Sequence, residues 1–579
     1  MIDDLWYKNA VFYCLDVATF MDADGDGVGD FEGLLRRLDY LAGLGITALW
    51  LQPFQPSPNR DDGYDTKDYY GVDPRVGSLG DFVEFCQQAK QRGIRVIIDL
   101  VINHTSDQHP WFKAARSQPD SRFRDYYYWS KKKPAGANSG MVFPGVQKTT
   151  WTYDSQARAY YYHRFYPFQP DLNIENPAVQ EEIRKIMGFW LQLGVSGFRV
   201  DAVPFIIENT PQADWQVRHA AQQAAEAKRA GLPAPKAKPR SRKPEMNFEY
   251  LRELHDFLQW RTGDGILLAE ANVVPADSVK YFGPEGDRMH MILNFQANQN
   301  MFYALATGDC RPLTRALRAT RARPDLSQWG IFLRSHDELD LGRLEDDQRK
   351  EVFAKFGPEP SMQLYGRGIR RRVAPMLGGD RRRLELASSL LFSLPGTPVM
   401  RYGDEIGMGD DLSLPDRKSV RTPMQWTADP NAGFSRAEKT ELPVISHGPF
   451  GFEQVNVADQ RRDPSSLLNV NERFIRMRKE CPEFGWGDHD ELPTRSPNVL
   501  AVRCHWRNNA VVTIHNFCAE VREVELVIPG AANLPLTNLL NPDHLPANPE
   551  GKHRFTLQPY GYRWYRVGPL LDVATRAPC

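Results

Sequence analysis

Arg199 and Asp201 stand two residues apart in Gly197-Phe198-Arg199-Val200-Asp201, a run that is otherwise small or apolar. In a strand, residues i and i+2 share a face, so the guanidinium and the carboxylate point the same way. A nearby positive charge lowers a carboxylate's pKa and keeps it ionised. An ionised carboxylate at a strand end suits a nucleophile at a sugar's anomeric carbon; it equally suits half of a structural ion pair. Other strand-like runs end in residues of the same kind. Asp99 closes one and Asn103-His104 follow it; Glu270 closes Ile266-Leu267-Leu268-Ala269; His336-Asp337 follow Trp329 to Leu333. Cleaving a glycosidic bond with retention takes one carboxylate as nucleophile and one carboxyl as general acid, roughly 5–5.5 Å apart. The acid must hold its proton at neutral pH, through burial or a like charge. Glu270, approached through apolar residues, suits that role. A third carboxylate can bind hydroxyls and strain the ring.

Something must bring these strand ends to one rim. Strand-like runs at 10–15, 47–51, 95–101, 195–200, 265–270, 329–333 and 398–402 alternate with helix-like segments such as 34–44, stopped by Gly45, and 82–92, stopped by Gly93. The βα alternation implies parallel strands with right-handed crossovers, and its length favours a (β/α)8 barrel. Active-site residues of such barrels sit at the C-terminal strand ends. The barrel is assigned to 1–104 and 172–484. Residues 105–171, polar and rich in Tyr and Lys, read as a domain inserted after the third strand. Residues 210–245 read as a helix running into an exposed basic loop. From 485 to 579 short alternating strands at 499–504, 510–515, 521–527 and 562–567 predict a C-terminal antiparallel β-sandwich.

The chain's 579 residues carry 72 basic and 73 acidic side chains, a balance that argues against a general nucleic-acid or anionic-membrane binder. No apolar run reaches the roughly 18 residues of a membrane span. The start of the chain lacks a basic, then apolar, secretory pattern. Seven scattered cysteines without CxxC spacing point to free thiols and a cytoplasmic enzyme. Asp22-Ala23-Asp24-Gly25-Asp26-Gly27-Val28-Gly29-Asp30 alternates carboxylates with turn-forming glycines, a spacing that offers oxygen ligands to a hard cation. Asp22, Asp24, Asp26, Asp30 and the Val28 carbonyl are the expected ligands. Calcium suits an all-protein oxygen cage better than magnesium, which is the alternative ion at this loop. The alternative is an acidic hairpin without metal.

Together these motifs resemble the α-amylase family of retaining glycoside hydrolases and transglycosylases, over roughly residues 5 to 435. Asp99-Leu100-Val101-Ile102-Asn103-His104, Gly197 to Asp201, Ala269-Glu270 and His336-Asp337 carry the resemblance. It implies Asp201 as nucleophile, Glu270 as acid/base and Asp337 as third carboxylate. Arg199, His104 and His336 would line the glucose subsite. Arg60 to Asp65 is similar to the family segment that gives Tyr64 for stacking on the sugar and Asp61 for its hydroxyls. Gln169 would lie near the sugar, and Arg421 or Arg417 would reach it. The resemblance also implies a second structural calcium site from Asn103, Asp171, Glu208 and the carbonyls of Phe205 and Ile206.

Within the family, Gly368 to Arg372, Asp380 to Glu385, Ser393 to Pro398 and Tyr402 to Gly409 look like the branch that isomerises maltose into trehalose. The implied partner is a small α-glucoside: maltose, trehalose or a short malto-oligosaccharide. The alternatives are a hydrolase or transglucosylase on short α-glucosides, and a non-enzymatic sugar-binding subunit. Oligomeric state is open, with a homo-oligomer as one option. Ser335, Asp16 to Phe20 and Asn294 to Asn300 depart from the branch, the last on the acceptor side.

Overall fold

Eight short parallel strands close into a barrel: β1 (Phe12–Leu15), β2 (Ala48–Leu51), β3 (Arg95–Leu100), β4 (Gly197–Val200), β5 (Ile266–Ala269), β6 (Met291–Leu293), β7 (Gln328–Phe332) and β8 (Thr397–Arg401). They neighbour one another in chain order, and β8 returns to β1. The computed structural model describes residues 3–208 and 246–569, so the basic segment expected at 210–245 lies outside the described residues. Seven of the eight strands match the expected runs. The sixth, Met291–Leu293, is three residues long and carries no pattern of its own.

Side chains alternate across each strand. Phe12, Cys14, Trp50, Ile97, Ile266 and Leu268 belong to the apolar column that fills the barrel. Val11, Tyr13, Leu49, Phe198 and Val200 face outward into the larger core under the helices. Burying each large apolar side chain contributes about 1.5–3 kcal/mol, and strands buried on both faces read as nearly continuous apolar runs. The same alternation carries charge to the top of the column. Asp99 follows Ile97 by two, and Arg199 is in register with it across β3 and β4.

Helices end where local chemistry says they should. Ser78 and Asp81 form a capping box on Leu79–Gln91. The helix expected at 34–44 is two helices, Phe31–Arg36 and Leu38–Leu44, broken at Arg37. Within residues 105–171 a three-stranded sheet, Trp129–Ser130, Ala159–Tyr162 and Trp151–Asp154, stands over the barrel mouth. Beyond the barrel, a five-stranded antiparallel sheet that includes Val499–Trp506 and Asn509–Asn516 packs on the pair Arg522–Val527 and Lys552–Leu557. Val512, Ile514, Val524, Leu526, Phe555 and Leu557 share the core between the two sheets.

Candidate active site

Gly197 starts β4 at φ +141°, and a Cβ there would lie 2.2 Å from the Ile266 carbonyl oxygen. Only glycine lets β4 lie this close to β5. The strand then lifts Arg199 and Asp201 onto the inner rim. Ala202 follows in the left-handed region (φ 48°, ψ 39°), a conformation costing about 1–2 kcal/mol for a non-glycine residue. That turn lets the Ala202 N–H donate to Glu270 Oε2 at 3.1 Å.

Arg199 is the hub. Its Nη1 donates to Asp99 Oδ1 at 2.5 Å and to Asp201 Oδ1 at 2.6 Å, and its Nη2 sits 2.9 Å from Glu270 Oε2. Trp50 Nε1 holds the other Asp99 oxygen at 2.8 Å. One buried guanidinium thus faces two buried carboxyls, Asp99 and Asp201, and the partly buried Glu270, and cannot compensate all of them. Burial therefore prevails: Asp201 and Asp99 are each raised to about 6 and Glu270 to about 7, despite Arg199.

Asp337 has the opposite balance. Burial alone would raise it, but the charges of Arg417 and Arg421 and a hydrogen bond from His336 hold it well below the usual carboxylate range. Arg417 Nη1 donates to Asp337 Oδ1 at 2.5 Å, and Arg421 Nη2 to the same oxygen at 3.2 Å. His336 Nε2 lies 3.1 Å from Asp337 Oδ2 and 2.7 Å from the Tyr64 hydroxyl. Burial drives His336 down to about 3 and His104 to about 4, so both are neutral at pH 7.

Asp61, Tyr64, His104, Asp201, Glu270, His336 and Asp337 all line one cavity of about 360 Å³. Three other sequence-nominated residues stand behind it. Arg199 lies beneath the acids. Gln169 braces Asp61, donating to its Oδ2 at 2.9 Å. Arg421 is bound to Asp62, to the His336 carbonyl and to Asp337. Arg417 is the arginine of that loop that reaches the cavity, and it also pairs with Asp61 at 2.5 Å. Tyr64 stacks on the His336 ring at 5.3 Å and 11°. Sequence reasoning missed Asp99 as Arg199's anchor, although its i+2 relation to Ile97 was visible. It also missed Phe143, Asn272, Glu338, Asp340, Arg343 and Arg367 as cavity walls, since loops bring them in.

At the acidic loop, carboxylate oxygens of Asp22, Asp24 and Asp30 lie within 4.8 Å of one another. Asp26 is outside that set; its Oδ1 accepts from Val28 N at 2.7 Å. Backbone N–H groups of Gly25 and Gly27 point at Asp22, at 2.6 and 2.8 Å. Three converging carboxylates on a turn fit a hard oxygen-seeking cation. The set around Asn103 differs. Asp171 Oδ1 accepts from Arg164 N at 2.8 Å, and Arg164 Nη2 pairs with Glu208 Oε2 at 2.6 Å over the Phe205 ring. A guanidinium thus pairs with Glu208 within the set that the family resemblance nominates for a second ion.

The family model described as the α-amylase catalytic domain matches residues 17–356 and 369–487. The chain belongs to the α-amylase family. A second model, the sucrose hydrolase-like C-terminal domain, matches residues 509–566. The trehalose synthase of Thermus thermophilus is 41% identical over 99% of this chain, which spans 56% of that protein's length. The trehalose synthase/amylase of Mycobacterium tuberculosis is 40% identical, with 98% of this chain and 91% of that one covered. The crystal structure of the trehalulose synthase MutB from Pseudomonas mesoacidophila MX-45 superposes with a TM-score of 0.74 at 26% identity, covering 97% of this chain and 99% of that one.

Proposed function

We propose that the enzyme isomerises maltose into trehalose through a covalent glucosyl–Asp201 intermediate. The observation that carries the chemistry is the pair of carboxyls on neighbouring nitrogens of Arg199, one raised to about 6 and one to about 7. Asp201 can be ionised while Glu270 still holds a proton. The near full-length identity to trehalose synthases supports the fate of the glucosyl unit.

Asp201 attacks the anomeric carbon as Glu270 gives its proton to the glycosidic oxygen. The carbon–oxygen bond of maltose breaks, and glucose is freed beside the glucosyl ester. Asp337, kept ionised by two arginines, accepts hydrogen bonds from sugar hydroxyls, and Arg417 and Asp61 flank the same ring. Neutral His104 and His336 line the same site without adding charge. The freed glucose turns over, passes the proton of its anomeric hydroxyl to Glu270, and attacks the same carbon. The ester bond to Asp201 breaks, and two inversions restore the α configuration. The second step needs a pocket that retains glucose and excludes water.

The cluster of Asp22, Asp24 and Asp30 supports a structural calcium tying this loop to the 434–441 segment, whose Glu441 N–H donates to Gly27 O at 3.0 Å. Six unpaired cysteines among the described residues support a reducing, cytoplasmic setting; no described helix is long and apolar enough to cross a membrane.

Incubation with maltose and chromatographic separation of products tests the reading. Trehalose in excess over glucose is expected, and Asp201→Asn should yield neither. Glucose without trehalose would sink it.

A further inference from the structure

The cavity has two walls. Tyr64, His104, Asp201 and Asp337 form the wall around the donor glucose. The lining also includes Asn272, two residues past Glu270, and Glu338, Asp340, Arg343 and Arg367; a leaving sugar protonated by Glu270 would lie against this group. Asn272 Nδ2 donates to Asp340 Oδ2 at 2.7 Å, and Arg343 Nε donates to Asn272 Oδ1 at 3.3 Å. A small antiparallel sheet sets the height of this wall, with Asp340 paired to Gly368.

Arg367 bridges this wall and the inserted domain. Its Nε lies 3.5 Å from Asp340 Oδ1, and its Nη1 donates to the Val142 carbonyl at 2.9 Å. Val142 adjoins Phe143, whose ring packs on Tyr166 at 4.9 Å, on Tyr365 at 4.7 Å and on the Arg417 guanidinium at 5.5 Å. Phe143 thereby roofs the cavity. The Arg367 side chain is 28% exposed, so it stands at the cavity's edge where solvent would enter.

We infer that Arg367 is the latch that decides whether the glucosyl–Asp201 intermediate passes to the trapped glucose or to water. This rests on the glucosyl-transfer reading above. By joining Asp340 on one wall to the Val142 carbonyl on the other, it keeps the Val142-Phe143 roof down while glucose turns. With the latch released, water enters, gives a proton to Glu270 and attacks the anomeric carbon; the ester bond breaks and two glucose molecules result per maltose. Asp201 and Glu270 act alike in both outcomes, so the latch changes partition and not glucosylation. Arg367 is a positioning residue that acts through the roof.

The test compares wild type, Arg367→Met and Arg367→Lys on α-glucosyl fluoride, with and without added glucose. Methionine keeps the apolar stem and removes the hydrogen bond to Val142 and the charge facing Asp340 and Glu338; lysine keeps the charge on a flexible stem. Steady fluoride release without acceptor should rise in Arg367→Met, because turnover then waits only on water reaching the glucosyl–Asp201 ester, and should stay near the wild-type rate in Arg367→Lys. The ratio of disaccharide to hydrolysis product should fall about tenfold in Arg367→Met, the size expected for one charge-assisted hydrogen bond lost from the closed state, and recover largely in Arg367→Lys. An unchanged ratio in Arg367→Met, or a parallel loss of fluoride release, would overturn the latch. Wild type that forms a disaccharide other than trehalose would fail the maltose-to-trehalose reading while leaving the latch test intact.

Discussion

Replacing Glu270 by Gln should make the protein more stable at pH 8 and almost leave it alone at pH 5. Burial raises the Glu270 carboxyl from 4.5 to about 7, with Arg199's attraction already set against it. Each unit is worth 1.36 kcal/mol, so the ionised carboxylate costs the folded state about 3 kcal/mol. The side chain is 25% exposed, which keeps most of that cost unscreened. The sign follows from where the proton is held. The folded state binds it more tightly than the unfolded chain, so Glu270 costs nothing at pH values below its ordinary 4.5. The cost grows as pH rises from there to about 7 and is level above. Glutamine never ionises and can still accept the Ala202 N–H. The variant should therefore gain under about 1 kcal/mol at pH 5 and about 3 kcal/mol at pH 8. Urea denaturation of both proteins at both pH values, followed by tryptophan fluorescence, gives the difference; titrating groups outside the site cancel. A gap of equal size at pH 5 and pH 8, or a less stable variant at pH 8, would refute the electrostatics assigned to the site.

The rate on maltose should be bell-shaped in pH, because Asp201 must be ionised, above about 6, while Glu270 must be protonated, below about 7. A profile of kcat/KM that stays flat from pH 5 to pH 9 would contradict both assignments. Asp201→Asn should lose about 10⁴-fold or more in kcat with an unchanged circular dichroism spectrum, the order of loss when a covalent nucleophile is removed. Calcium at a hundred times its dissociation constant should stabilise the wild type by about 2.7 kcal/mol. Asp24→Asn, at an exposed position in the acidic cluster, should lose that calcium response in a thermal scan; equal shifts in both proteins would refute the site.

The barrel and its reactive rim were legible in the chain because their signal is local. Period-two alternation places Arg199 and Asp201 on one face whatever the rest of the molecule does, and apolar runs between helical segments mark parallel strands. β6 escaped because three residues are too few to show a period, and the helix break at Arg37 escaped because no Pro or Gly marks it. The Asp22–Asp30 turn was legible for the same local reason, its carboxylates lying within one loop.

The sequence by itself determined which acids the protein has to work with and which strand carries each. Only the tertiary structure decided their states. Three carboxyls share Arg199 and are raised, while Asp337 gathers Arg417 and Arg421 and is lowered, because charge balance depends on partners up to hundreds of residues apart. It also decided that Arg417 reaches the cavity and Arg421 backs it, and that the Arg164 guanidinium pairs with Glu208. The acceptor wall belongs to the same class. Asn272, the Asp340 to Arg343 segment and Arg367 come from three separate stretches of chain, and nothing in their local sequence says that they meet. Periodicity fixes the direction in which a side chain points; what it meets there is fixed by packing.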